Sequence, residues 1–432
     1  MFAGDNARDR KGGLVPDLPF ALSEDQMTAS AALNPAVKQP HAIPRLLQTA
    51  CHVLLCIAIA CLLTEILARD WIYDREGLGI ATDFVNVWTA GKIALGGHPS
   101  LAWDWDIQKQ LEVVLLQREF DGYLAWHYPP PFLFVAMLLA QFPYAVAFVG
   151  WAVVSMLPYL TVMRAIVGRN FGLLLGIAFP PVLVNTMVGQ NGCLTAALIG
   201  GTLHLMPRRP VLAGLCLGLL SYKPQYGLLF PIVLIVAGQW TTFVSAALVA
   251  AGLAFVSWLQ FGTESWQAFF HWMPMFSQAF LDRDDAPWWW WKLQSVYALV
   301  RYFDGPERLA WMVHAIVVGA VLVTLVVIWR SRLPYEIKAA GLAVGTVLTT
   351  PYLFMYDVVV LAIAVAFLLR QGLRDGFAFH EPATLAGMML LMSTFPLLSK
   401  PVGLAASLIV AALVLRRAGL SAELPKLSAG VA

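Results

Sequence analysis

Asp83 is the residue in this chain best placed to do chemistry. It stands between the first long apolar run and a helical pattern that begins at Phe84, inside the longest polar interval, residues 82–131. A carboxylate with a low-dielectric segment on one side and solvent on the other can take a proton from a hydroxyl as that oxygen attacks an activated carbon. An aspartate directly before a helix also serves as an N-cap, and the residues alone favour that plainer role. His127 and Tyr128 come next, in Trp126-His127-Tyr128-Pro129-Pro130-Pro131. Successive prolines fix the backbone there, so the imidazole could meet a phosphate or a sugar, or anchor beside Trp126 at headgroup level. Gln190, Asn191 and Lys223 are polar residues in an otherwise apolar stretch. A lysine beside a bilayer offers a point charge to a departing phosphate, although a lysine at a helix end more often snorkels to the interface. Tyr352, Tyr356 and Asp357 form the last polar group, with Asp357 read as a functional acid or as the cap of the helix after it.

The elements that must hold these groups are membrane helices. Hydrophobic residues make up 59% of the 432 and charged residues 12%, outside the range of soluble domains. The expected fold is all-α, a polytopic transmembrane helix bundle with about eleven to thirteen apolar segments between residues 45 and 417. Residues 1–44 are expected to form a disordered cytoplasmic tail, lacking the apolar core of a signal peptide, and 418–432 a second cytoplasmic tail. After a first segment at 46–67, apolar runs fall at roughly 131–142, 145–163, 171–188, 192–206, 211–222, 226–238, 241–261, 309–329, 337–353, 357–369, 384–398 and 402–415. Arg208-Arg209, Arg330 with Arg332 and Lys338, Arg370 with Arg374, and Arg416-Arg417 occupy alternate loops, which the positive-inside rule assigns to the cytoplasm. The candidate site residues then share the outer face. Arg164 and Arg169 fit this count only if 131–142 is a half-helix or re-entrant; otherwise they snorkel at the outer interface. Within the first outer loop, one helix should run from Thr82 or Asp83 to Gly96-Gly97. A second should lie in the membrane interface on Ile107, Leu111, Val114 and Leu115, with Gln108, Lys109, Gln110 and Glu112 on its other side. A second outer interval, 262–305, carries Trp288, Trp289, Trp290 and Trp291, suited to headgroup anchoring or to stacking on a sugar or lipid.

Several functional classes drop out. There is no basic stripe for nucleic acid, no phosphate-binding loop or dinucleotide fingerprint, and no HExxH or nucleophile elbow. The five cysteines lie in apolar runs without a CxxC pair, so neither a metal site nor a disulfide framework is expected. A transporter or flippase would need ionisable residues near mid-membrane, whereas the charges here sit at segment ends. An enzyme with its site outside, away from soluble sugar nucleotides, needs a donor delivered in the membrane.

In order along the chain, Asp83-Phe84, Gly96-Gly97-His98-Pro99, Tyr128-Pro129-Pro130, Gly189-Gln190-Asn191, Lys223-Pro224 and Thr350-Pro351-Tyr352 followed by Asp357 resemble glycosyltransferase family 87 of the GT-C superfamily, over roughly residues 45–370. The resemblance implies a GT-C-like bundle with interfacial amphipathic helices in its first outer loop and an acid, matched to Asp83, acting as general base. It implies transfer of a hexose, mannose above all, from a polyprenyl-phosphate donor to a lipid-linked or glycan acceptor, with inversion and without metal or other cofactor. His127, Tyr128, Gln190, Asn191, Lys223, Tyr352 and Asp357 would bind substrate. The expected setting is a bacterial inner membrane, crossed many times, with the site facing the periplasm or exterior. Donor, acceptor and membrane lipids are the expected partners, and nucleic acid is not one. The competing reading is a flippase or transporter of lipid or polyprenyl-linked sugar without transferase activity.

Overall fold

The computed structural model describes residues 41–281 and 289–429. The expected tail therefore lies almost wholly outside the described residues, as do Trp288 and the acidic stretch before it. The described chain is helical, with two isolated β-bridges and no strand.

After α1 (Arg45–Ala68) an irregular strap leads to α2 (Phe84–Leu95) and α3 (Trp105–Leu116). Gly96 ends α2 as expected. The three prolines at 129–131 restrict the next segment to a short 3-10 turn and α4 (Leu133–Leu139), too short to cross a bilayer. α5 (Tyr144–Val167) is full length. α6 (Phe171–Ala178) and α7 (Pro180–Val188) are bent by 58°, because Phe179, ahead of a proline, is forced out of the helical region (φ −70°, ψ 117°). α8 (Gly192–Leu205), α9 (Pro210–Leu219) and α10 (Leu229–Val236) are short apolar pieces. α11 (Trp240–Leu281) continues well past the expected boundary, broken only at Gly262, so the outer interval assigned to 262–305 is largely helix. α12 (Val296–Tyr302), α13 (Glu307–Arg330), α14 (Tyr335–Leu348), α15 (Leu361–Asp375), α16 (Glu381–Ser393), α17 (Phe395–Leu398) and α18 (Val402–Ala429) complete the chain.

Among the described residues six helices are long and apolar enough to cross a membrane, or seven with the bent pair counted as one. They differ sharply in burial. In α1 only Leu47, Ala50, Cys51 and Leu54 are buried, a single stripe at helical spacing, and the rest of its apolar surface faces outward. The continuous helical stretch 355–375, a 3-10 turn running into α15, is enclosed almost throughout. α14 packs along it, and both are rich in small buried residues (Ala339, Ala340 and Ala343 on one, Ala362, Ala364 and Ala366 on the other). This central helix also fixes which ends coincide. Arg370 near its last turn donates to the Ile166 carbonyl at the end of α5 (3.3 Å), so Arg164 lies at the same end of the bundle as Arg370 and Arg374. That agrees with the half-helix reading of 131–142 and removes the conflict over Arg164 and Arg169.

Candidate active site

Asp83 does not cap α2. Its own backbone is already helical (φ −57°, ψ −25°) and its side chain makes no capping bond. It turns instead to a residue 107 positions away: Gln190 Nε2 donates to Asp83 Oδ2 at 2.9 Å. The Tyr128 hydroxyl donates to Gln190 Oε1 at 3.1 Å, and Asn191 Nδ2 donates to the Tyr128 oxygen at 2.8 Å. Two glycines allow the Gln190-Asn191 turn to be wedged so tightly. Gly189 holds φ +69°, where a Cβ would also lie 2.6 Å from that of Phe84, and a Cβ on Gly192 would lie 2.1 Å from the Tyr356 carbonyl oxygen. The proline-fixed turn supplies the other support: Phe132 stacks on Tyr222 (centroids 4.7 Å, 17°) and packs against Tyr128 (4.7 Å).

Beside this network Lys223 Nζ bonds Asp357 Oδ1 at 2.7 Å, both side chains almost fully buried. Asp357 is thus half of an ion pair joined across 134 residues, and its expected alternative as a helix cap falls away. The Lys223 ammonium also lies 5.8 Å from the ring centres of both Tyr226 and Tyr356. The Tyr356 hydroxyl faces Asp83, which links the two halves of the site. Burial raises the proton affinity of Asp83 above the ordinary carboxylate range. The Gln190 bond, the Tyr356 hydroxyl and the Lys223 charge act against that rise, and Asp357 adds to it. A partly exposed carboxylate in this state is a stronger base than a free one. Burial and the neighbouring Lys223 charge lower the His127 pKa to about 4, so the imidazole is neutral at ordinary pH. Its Nδ1 donates to the Ala125 carbonyl at 3.2 Å, and the ring packs on Tyr128 at 4.3 Å. A neutral ring suits a sugar hydroxyl better than a phosphate.

Of the nine residues singled out in the sequence, Asp83, Tyr128, Gln190, Asn191, Lys223, Tyr356 and Asp357 converge, with His127 at their edge. Tyr352 does not: it packs against the separate cluster of Trp290, Leu293 and Tyr297 and makes no hydrogen bond among the described residues. Tyr356, four positions on and named in the same polar group, occupies the place foreseen for Tyr352. Tyr222 was missed; its hydroxyl meets Thr195 Oγ1 at 2.6 Å behind Asn191. Its adjacency to Lys223 was the one signal for it in the sequence. In the outer-loop helix α3, Gln108, Glu112 and Leu116 are buried, Ile107, Leu111 and Leu115 pack partly against the core, and Val114 is 69% exposed.

No curated protein and no solved structure matches the chain. The model of glycosyltransferase family 87 matches residues 126–355, just over half of the sequence. That span begins after Asp83 and ends before Asp357 but includes the turns that carry Tyr128, Gln190, Asn191 and Lys223. With its bundle of apolar helices and this polar cluster at the end of the central one, the chain belongs to glycosyltransferase family 87 and is a multi-pass membrane glycosyltransferase.

Proposed function

We propose that the protein transfers a hexose, mannose in the first instance, from a polyprenyl-phosphate donor to a hydroxyl of a lipid-linked or glycan acceptor, with inversion and without a metal. The observation that carries this reading is a raised-affinity carboxylate, Asp83, within electrostatic reach of a buried ammonium, Lys223, in one polar cluster. In the reaction the acceptor oxygen attacks the anomeric carbon from the face opposite the phosphate. Asp83 takes the hydroxyl proton as that bond forms, the carbon–oxygen bond to phosphate breaks, and Lys223 stabilises the charge left on the polyprenyl phosphate. Lysine has three N–H donors and Lys223 gives one to Asp357, so it has capacity for a phosphate oxygen. Tyr128, Gln190, Asn191 and His127 hold the carboxylate and sugar hydroxyls. A groove of about 380 Å³ between α9, α10 and α11 supports a donor with a long apolar chain. It is lined by Leu217, Gly218, Leu220, Pro224 and Leu228, on both sides of Lys223 in the sequence. The pocket faces the periplasm or exterior of an inner membrane, in keeping with the arginine-rich loops at the other end of the bundle.

The test is transfer from labelled polyprenyl-phosphate mannose to membrane acceptors. Asp83→Asn, inserted normally, should lose at least about a hundredfold in rate. Full activity in that variant removes Asp83 from the reaction. Uptake of lipid-linked sugar across vesicles without consumption of donor would favour the flippase reading instead.

A further inference from the structure

An aromatic corner adjoins the polar cluster, and the reaction proposed above makes no use of it. Tyr356, whose hydroxyl faces Asp83, stacks its ring on Phe354, with centroids 5.3 Å and planes 13° apart. Phe354 in turn meets Trp289, centroids 5.9 Å apart and planes at 79°. The stacked pair and the indole thus stand nearly at a right angle, in a run of rings that starts at the candidate base. Lys292 brings its ammonium to 5.5 Å from the Trp289 ring centre.

The backbone fixes this arrangement. Leu293 and Phe354 form an isolated antiparallel bridge, and the Gln294 N–H donates to the Leu353 carbonyl at 2.5 Å. The Gln294 side chain closes the turn: Nε2 donates to the Trp291 and Lys292 carbonyls at 2.8 and 3.2 Å, and Oε1 accepts from the Gly403 N–H at 2.7 Å. A segment distant in sequence is thereby locked to the turn that carries Tyr356 and Asp357. The three described tryptophans of the run divide in their contacts. Trp290 is buried, with the Tyr297 ring at 6.1 Å and the Arg301 guanidinium at 5.0 Å, and serves as an anchor. Trp291 packs on Phe395 at 5.2 Å. Trp289 joins the rings that lead to Asp83, and it, Phe354 and Tyr356 are each partly exposed.

Lipid chains and sugars ask for different walls. The groove assigned to the polyprenyl chain is lined by leucine, proline, alanine and glycine, with Ser221 and Phe243 the exceptions. The corner at Trp289 instead offers ring faces bordered by the Tyr356 hydroxyl and the Lys292 ammonium. The C–H face of a pyranose carries partial positive charge and lies on the electron-rich face of an aromatic ring, while the hydroxyls at its rim need hydrogen-bond partners. The corner also starts at the base rather than in the donor's groove, so the sugar it suits is the acceptor's.

We propose that Trp289, its tilt set by Phe354, is the platform of an acceptor-sugar subsite, and that the acceptor is a glycan of at least two pyranose residues. Its terminal residue presents a hydroxyl to Asp83 alongside Tyr356. The residue behind it lies on the Trp289 indole, with Lys292 donating to its hydroxyls. The inference deepens the proposed reaction and rests on Asp83 being its base.

The experiment uses the full-length protein in lipid vesicles, with labelled polyprenyl-phosphate mannose as donor and a bacterial glycolipid extract as acceptor. Linkage analysis of the product should find the label on another sugar. Octyl mannobioside should compete with that acceptor about tenfold better than octyl mannoside. Trp289→Ala should raise acceptor KM about tenfold and abolish this preference while donor KM stays unchanged. Trp289→Phe, which keeps a ring, should recover most of both, and Trp291→Ala should match wild type. Label on a hydroxyl that belongs to no sugar overturns the subsite. So does a Trp289→Ala variant that keeps wild-type acceptor KM and preference, or one that raises donor KM by the same factor. Absence of transfer in the wild type, or full transfer by Asp83→Asn, fails the reaction itself and takes the inference with it.

Discussion

A buried ion pair lies by each end of the central helix, 355–375, Lys223–Asp357 at its start and Arg417–Glu381 beside Gly376 just past its end, and the two differ in geometry. At one end Lys223 meets Asp357 through a single contact of 2.7 Å, flanked by tyrosine rings. At the other, Arg417 grips Glu381 with two nitrogens, Nε to Oε1 at 2.7 Å and Nη2 to Oε2, and reaches the Gly376 carbonyl at 3.0 Å. A guanidinium fork on one carboxylate is geometrically satisfied and acts as a brace. An ammonium with one partner keeps donors for something else. Equal burial therefore does not mean equal role; the unused hydrogen-bonding capacity distinguishes the site from the strut.

Double substitutions test this contrast most severely. Replacing a buried pair by apolar residues is often tolerated by a fold. Lys223→Met with Asp357→Leu should leave a folded, inserted protein whose transfer rate falls about a thousandfold. Arg417→Met with Glu381→Leu should keep transfer within about threefold of wild type, because its loss is structural. Equal loss of transfer in the two double variants would end the distinction. Breaking the brace on one side only is a different matter: Arg417→Met strands a buried carboxylate and should cost about 3–5 kcal/mol, read as a lower melting temperature with kcat preserved in the folded fraction. A smaller effect is expected at Tyr356, whose hydroxyl helps hold down the proton affinity of Asp83. Tyr356→Phe should lower kcat several-fold, on the order of tenfold, and move the acid limb of the rate profile to higher pH.

The smallest effect concerns Glu112, the fully buried acid of α3. The pKa of Glu112 is raised in the folded chain from 4.5 to about 8, so across that window the fold keeps a proton that the unfolded chain has released. Stability then falls as pH rises through the window, and the loss is complete above it. Glu112→Gln does not titrate, so its melting temperature should gain on wild type across the window and show no such pH-dependent gain below it. A constant difference at all pH values would show that Glu112 does not titrate as stated.

Much of this was legible in the sequence because the bilayer is a demanding solvent. Apolar runs of membrane length have few alternatives to helix, and prolines at 129–131 marked one interruption, whereas the break at Phe179 within 171–188 was not foreseen. Asp83, Tyr128, Gln190, Asn191, Lys223 and Asp357 were recognisable as isolated polar residues at the ends of those runs. One placement was not readable locally: helix period did not distinguish Tyr352 from Tyr356, since the irregular turn at 350–354 sets their directions.

What the sequence determined by itself is the list of parts: an all-α membrane chain, its helix-breaking points, and the polar residues at segment ends that resemble one family. The tertiary structure decided their partnerships. Asp83 changed from an apparent cap to an acceptor for Gln190, and Lys223 found Asp357, through contacts spanning 107 and 134 residues. Local periodicity carries no information about such distant pairs. They are fixed by which helix ends the packing around the buried central helix brings to the same place.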